Sequence, residues 1–246
     1  MSHLLIDIGN TRLKWLLAAD LAKALPPAQA LAHAGEPALA LCELARQLAT
    51  QKPTSVWIAH VTGGKHEAAL VAAVQQQFGL APHFARSASA HSGLRIAYTE
   101  PQRLGVDRFL TMLALWAERP SAFSVASAGT ALTFDAVDDQ GQHLGGVIAP
   151  GLDSMIRTTL GNTRFATDEI HRAAAPGLGE STEACVQLGA VNACAGLLER
   201  LARQYPARCV LTGGDAALLA PLLAGDWQLR RDLVLQGLAR YAQQQA

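Results

Sequence analysis

Aromatic residues are scarce in this 246-residue chain, with Phe, Trp and Tyr making up 5% of it. No stretch reaches 18 uninterrupted apolar residues, so no membrane-spanning helix is expected. Net charge is missing as well. The 20 Lys and Arg balance 20 Asp and Glu, leaving no global field to draw in nucleic acid or an anionic bilayer. Any anion site has to be local. The four cysteines, Cys42, Cys185, Cys194 and Cys209, show no C-x-x-C spacing. That argues against zinc and a disulfide framework and predicts four free, buried thiols in a reducing cytosol. The eight histidines are dispersed, and the nearest thing to a cluster, His60 with His66, lacks acidic partners at ligand spacing. Both are read as structural or surface residues. Neither a Walker A sequence nor a strand-to-helix G-x-G-x-x-G is present. The start, Met1-Ser2-His3-Leu4, runs straight into a strand pattern without a basic region or cleavable apolar stretch, so a cytoplasmic location is expected.

The chain is rich in apolar residues (50%), chiefly Ala and Leu, which favours helices packed on a sheet. Its length allows one large domain or two of about 120 residues. Two short loops read almost alike: Asp7-Ile8-Gly9-Asn10-Thr11, and Ser127-Ala128-Gly129-Thr130-Ala131-Leu132-Thr133. Each follows one apolar run and leads into another, and they lie about half the chain apart. A strand that turns at Gly and returns leaves backbone N–H groups and a hydroxyl at the bend, and can approach a phosphate closely. One such loop alone is equally an ordinary turn, because Gly, Asn, Asp and Thr populate turns anyway. The duplication, with Lys14 after the first loop, favours a nucleotide held between two related lobes, and hence phosphoryl transfer.

The pattern around the loops repeats. In the first half, His3–Ile8 and Arg12–Ala18 read as a hairpin with a third strand near 30–33. Helical spacing follows over 36–51 (Leu39, Leu41, Leu44, Leu48), then a strand at 55–61, a helix at 64–78 and a strand at 82–86. A helix over 104–118 places Phe109, Met112, Leu113 and Trp116 on one side, and Arg119-Pro120 ends it. In the second half, Phe123–Ala128 pairs with Ala131–Val137, and a third strand runs over 143–148. A helix begins after Pro150-Gly151, and a longer one spans Thr182–Gln204. Arg208–Thr212 is a strand stopping at Gly213-Gly214-Asp215, followed by a helix, a short strand near Trp227–Leu229 and a last helix to about Gln244. The expected architecture is α/β, with a mixed sheet flanked by helices in each of two lobes, 1–118 and 119–246. The region 164–181 is the expected mobile loop.

Five segments, in order, resemble the type III pantothenate kinases, within the superfamily of acetate and sugar kinases, Hsp70 and actin, whose two lobes are duplicated ribonuclease-H-like folds. They are Asp7-Ile8-Gly9-Asn10-Thr11 with Lys14-Trp15; Gly105-Val106-Asp107-Arg108; Gly129-Thr130-Ala131 with Thr133 and Asp135; Gly145-Gly146-Val147-Ile148-Ala149-Pro150-Gly151; and Leu211-Thr212-Gly213-Gly214. The family also includes proteins named Bvg accessory factors. The resemblance implies phosphorylation of pantothenate by ATP to 4′-phosphopantothenate, the first step of coenzyme A synthesis, in a nucleotide cleft between the lobes. It implies a first phosphate loop made of Asp7, Ile8, Gly9, Asn10, Thr11, Arg12, Leu13 and Lys14. Thr130 would anchor phosphate from the second loop, and Gly213 and Gly214 would border the adenosine. Tyr98, Gly105, Val106, Asp107, Arg108 and Thr182 would contact pantothenate, with Asp107 accepting the proton of the attacking hydroxyl. A homodimer is implied too.

Elementary chemistry accommodates these roles. Asp107 lies just inside a predicted helix start, where the dipole favours a carboxylate; the plainer alternative is a helix cap with Arg108 as a solvated partner. Asp7 suits Mg2+, which takes one or two carboxylates plus phosphate oxygens. Tyr98 as a packed aromatic and Thr182 as a helix N-cap are the corresponding plain readings. In much of the family an acidic residue occupies the place of Ser127 and holds a monovalent cation such as potassium or ammonium. Ser127 brings no charge, so a backbone carbonyl or Asp135 would have to replace it. Two other functions remain open: a kinase for another small hydroxylated substrate, and a regulatory accessory factor that retains the ATP cleft. Neutral charge and the lack of a helix-turn-helix signal argue against nucleic-acid binding.

Overall fold

A computed structural model of the chain describes residues 2–161 and 177–245. Most of the expected mobile loop, 164–176, therefore lies outside the described residues. The chain divides into two units, 1–120 with 232–246, and 121–231.

In the first unit, the pleat of β1 (His3–Ile8) sends Leu4, Ile6 and Ile8 to one face, all fully buried, with Leu5 buried on the other. β2 (Arg12–Ala18) returns antiparallel, with Asp7 opposite Lys14, and β3 (Gln29–Ala32) forms the edge. β4 (Ser55–His60) and β5 (Pro82–Phe84) add in parallel on the other side, giving the order β3-β2-β1-β4-β5. The face carrying Ile6 and Ile58 packs on α1 (Pro37–Leu48) and α2 (Glu67–Phe78) through Leu41, Leu44, Leu70 and Val74. Each fully buried aliphatic side chain there contributes about 1.5–3 kcal/mol of hydrophobic stabilisation. A two-stranded ribbon, β6 (Ala90–His91) with β7 (Leu94–Arg95), leads to α3 (Val106–Glu118), where Phe109, Met112, Leu113 and Trp116 are buried as the spacing predicts.

The second unit repeats the plan. β8 (Phe123–Ala128), β9 (Ala131–Val137) and β10 (His143–Pro150) are antiparallel; β11 (Arg208–Thr212) and β12 (Trp227–Leu229) run parallel to β8. The order β10-β9-β8-β11-β12 matches that of the first sheet. α4 (Leu152–Gly161), α5 (Thr182–Gln204) and α6 (Ala216–Leu219) bury Ile156, Leu160, Leu198 and Leu219 with Phe134 and Leu211 of the sheet.

Several expectations need adjusting. α7 (Leu233–Gln243) belongs with the first unit, against α3, β1 and β4, so a single cut after residue 118 does not describe the packing. Gly237 explains the closeness: a Cβ there would overlap the backbone of Leu110. α3 starts at Val106 instead of 104 because Gly105 is its extended N-cap. A 3-10 turn, Gly64–His66, precedes α2, and Leu39 is exposed instead of packed. Of the four free thiols only Cys194 is buried; Cys185 is exposed, and Cys42 and Cys209 are half-buried. The ribbon of β6 and β7 has no counterpart in the sequence reading.

Candidate functional site

The first loop is a tight bend. The Gly9 N–H donates to the Arg12 carbonyl at 3.0 Å, closing the hairpin over exposed Asn10 and Thr11. Ile8 and Leu13 are fully buried and their backbones belong to the sheet, the Ile8 carbonyl accepting from the Val61 N–H at 3.2 Å and Leu13 pairing with Leu31, so they anchor the bend. A residue absent from the sequence reading braces this bend. His33 Nε2 lies 2.8 Å from the Gly9 carbonyl, and the Gly35 N–H donates to His33 Nδ1 at 3.2 Å. A carbonyl only accepts and an N–H only donates, so His33 is the neutral tautomer carrying its proton on Nε2.

Beside the loop, Asp7 is half-buried and its carboxyl is pushed up to about 7. Desolvation is the main cause, followed by the like charge of Asp107; Asp232 adds to it and Lys14 opposes it. Lys14 stands across β2 from Asp7 and its Nζ lies 3.3 Å from Asp232 Oδ1. Asp7, Lys14 and Asp107 thus form one electrostatic group, with Asp232 as a fourth member that the sequence reading missed.

Asp107 sits in the first turn of α3 and is not its cap; that position is Gly105, and no side chain caps the helix. One carboxylate oxygen accepts from the Arg108 N–H at 2.9 Å. A Cβ on Gly105 would run into this carboxylate, so the glycine before Val106 makes room for it. Arg108 is buried, not solvated. It donates to the Tyr98 hydroxyl at 3.0 Å and stacks its guanidinium over the ring. Two residues expected at one substrate are therefore already joined.

His60 also departs from expectation. It is buried at the end of β4, in register with Ile8, and its Nε2 lies 3.4 Å from Glu67, which bonds Arg86 at 2.6 Å. Burial holds its pKa below the usual histidine value, so it is neutral at pH 7.

In the second unit the bend is built by close backbone packing. The Gly129 N–H donates to the Ala131 carbonyl, while the exposed Thr130 offers its carbonyl to the Gly151 N–H and to Ser154 Oγ, all at 3.1 Å. The Ala128 carbonyl accepts from the Asp215 N–H at 3.0 Å. A Cβ on Gly151 would overlap the Gly129 and Thr130 carbonyls, and one on Gly213, where φ is +103°, would overlap Ala128. Glycines from two distant motifs thus let their segments lie directly on the second loop, and Gly214 is exposed beside it. Ser127 is in register with Thr133 on β9 and Thr212 on β11, a row of neutral hydroxyls. Asp135 is not among them: it is buried opposite Val125 and pairs with His143 Nε2 at 3.0 Å. Thr182 is the first residue of α5; the cap is Ser181, whose Oγ accepts from the Ala184 N–H at 3.2 Å. Thr182 lines a groove of about 1040 Å³ with Pro150, Ser154, Thr158 and Gly189.

Comparison with known proteins fits this geometry. The sequence profile of type III pantothenate kinases matches residues 3–204. The chain is 37% identical to the type III pantothenate kinase of Cupriavidus taiwanensis, covering 96% of each chain. It is 35% identical to that of Laribacter hongkongensis, over 97% of this chain and 98% of the relative. In fold it is similar to a Baf family transcriptional activator from Campylobacter jejuni (TM-score 0.60, 17% identity, 98% of both chains). It is also similar to a ROK hexokinase from Thermus thermophilus (TM-score 0.53, 16% identity, 100% and 99%). Both likenesses speak for the two-lobed α/β fold alone. With paired loops, Gly-Val-Asp-Arg at a helix start and a profile spanning most of its length, the chain belongs to the type III pantothenate kinase family.

Proposed function

We propose that this protein transfers the γ-phosphoryl group of ATP to the 4′-hydroxyl of pantothenate. The carrying observation is Asp107 in the first turn of α3, electrostatically coupled to Asp7 of the first loop. The hydroxyl oxygen attacks phosphorus, the bond to the β,γ-bridging oxygen breaks, ADP leaves, and the hydroxyl proton passes to the Asp107 carboxylate. Loop residues 7–14 and Thr130 hold phosphates, Gly213 and Gly214 border the nucleoside, and Tyr98, Gly105, Val106, Arg108 and Thr182 bind pantothenate. Mg2+ fits Asp7, whose carboxyl is pushed up to about 7 by burial and like charge that a cation would offset. Among the described residues no three His, Cys, Asp or Glu side chains group to hold a metal, so the ion would complete its shell with phosphate oxygens and water. When bound, it neutralises charge on the phosphates. Among the described residues no helix is long and apolar enough to cross a membrane, and the cytoplasm is where this reading places the reaction. The test is ADP release coupled to a reporter, with pantothenate against sugars and acetate. Pantothenate-dependent release is expected; release with a sugar alone overturns the reading.

Ser127 carries a prediction of its own. A carboxylate in contact with a monovalent ion gains on the order of 4 kcal/mol at an effective dielectric near 20, before desolvation. The row Thr133, Ser127, Thr212 supplies dipoles only, and Asp135 is occupied by His143. Activity is therefore expected to depend weakly on potassium or ammonium, and Ser127→Asp to strengthen the dependence. Potassium titration at fixed ionic strength, balanced by a large inert cation, checks this; tight saturable activation of the unmodified protein contradicts it.

The family resemblance supports a C2 homodimer, the commonest closed assembly. Light scattering is expected to give twice the 25.9 kDa chain mass. An active species of single-chain mass rules it out.

A further inference from the structure

The start of α7 is an anomaly. Asp232 has φ 56° and ψ 30°, in the left-handed region that Asn and Asp enter more readily than other L residues but still at a cost. An Asp before a helix ordinarily accepts a hydrogen bond from the first turn, but Asp232 makes no such cap. Its carboxylate goes instead to Lys14, Oδ1 to Nζ 3.3 Å, across 218 positions of sequence. Lys14 in turn stands opposite Asp7 on the first loop's hairpin. A strained backbone whose side chain has left its local task for an ion pair is a mark of a functional constraint.

We propose that Asp232 is a positioning residue for phosphoryl transfer: it holds the Lys14 ammonium beside the first loop, ready to meet a phosphate oxygen. This rests on the reading of the first loop as a phosphate loop. Lysine is a flexible point charge with three donors, so Nζ can keep Asp232 while donating to a phosphate oxygen. Pairing before the nucleotide arrives removes rotamer freedom that binding would otherwise have to remove. The end of the chain thereby becomes part of the site at its beginning.

Asp232→Asn keeps the size and tolerates the left-handed backbone while removing the charge; Asp232→Gly also removes the strain. Both are expected to weaken Mg-ATP binding, read by calorimetry and as the KM for ATP, about fivefold for a half-exposed pair, with the KM for pantothenate unchanged. Asp232→Gly is expected to melt higher than the unmodified protein while losing the same affinity. In a Lys14→Met background, Asp232→Asn is expected to cause no further loss of affinity, as for one shared interaction. A purely structural role would leave ATP affinity unmoved in both variants, and that result overturns the proposal. If pantothenate proves not to be the acceptor yet Asp232→Asn still weakens Mg-ATP binding, the inference holds and only the acceptor is wrong.

Discussion

Asp107→Asn is expected to slow the chemical step by a factor of about 100 or more, within the range for loss of a general base, and to leave both substrate affinities within a few-fold. Asparagine keeps the oxygen that accepts from the Arg108 N–H, so this bond in the first turn of α3 survives the change. What disappears is the proton acceptor. Negative charge in the first turn of a helix is favoured by the dipole, which suits a carboxylate acting as base. Phosphoryl transfer asks mainly for positioning and charge neutralisation, so residual turnover is expected. The loss should appear in single-turnover rates, not in calorimetric affinities for ATP or pantothenate. Full turnover by a folded Asp107→Asn protein removes Asp107 from the mechanism. A second consequence follows from its neighbour. Asp107 is the largest like-charge influence on Asp7, so the variant should also shift titration of Asp7 to lower pH.

The hairpins β1–β2 and β8–β9 are legible in the sequence because in each an apolar run meets a Gly-containing turn and leads into a second apolar run. The tight bend at Gly9 then sets Lys14 opposite Asp7. Asp107, by contrast, is legible only through the family resemblance, since a carboxylate at a helix start is an everyday feature. Arg108 reads as solvated because nothing in Val-Asp-Arg-Phe tells that Tyr98, ten residues earlier, will cover it. The placement of α7 escapes for a related reason. Chain order assigns the last helix to the second half, while the contact that decides is Gly237 against the Leu110 backbone. Asp232 hides behind it: Arg-Asp-Leu-Val looks like an ordinary helix start, and only the backbone angle and Lys14 reveal otherwise. His33 carries no local signal, because its partner is a carbonyl 24 positions away. Periodicity records which face is buried; it does not record which distant polar group a side chain will find.

Asp7→Asn is expected to abolish Mg-ATP-dependent turnover and, in the same protein, to raise stability at alkaline pH. The carboxyl of Asp7 is raised from 3.8 to about 7 by desolvation, then by Asp107, with Asp232 adding and Lys14 opposing. A carboxyl that holds its proton more tightly folded than unfolded contributes stability that is fully present below about pH 4. That contribution is lost as pH climbs to about 7. Above pH 7 the folded protein carries the uncompensated charge in full. Asparagine carries none, so the stability difference between variant and parent should open between about pH 4 and 7 and stay level beyond. A shift of this size on a fully desolvated group corresponds to about 4 kcal/mol; discounted for the half-exposed side chain, roughly 1–3 kcal/mol is expected, or several degrees in Tm. Lys14 is not stranded by the change, because Asp232 remains its partner. Divalent cation reverses the comparison. Mg2+ with a non-hydrolysable ATP analogue should stabilise the parent at pH 8 and stabilise Asp7→Asn far less, since the carboxylate that greets the ion is gone. Melting curves at pH 5 and pH 8, with and without the analogue, separate these effects. Parallel pH dependence in the two proteins, or an Asp7→Asn enzyme that turns over like its parent, would contradict the assignment of Asp7 as a strained carboxylate kept for a metal-bound phosphate.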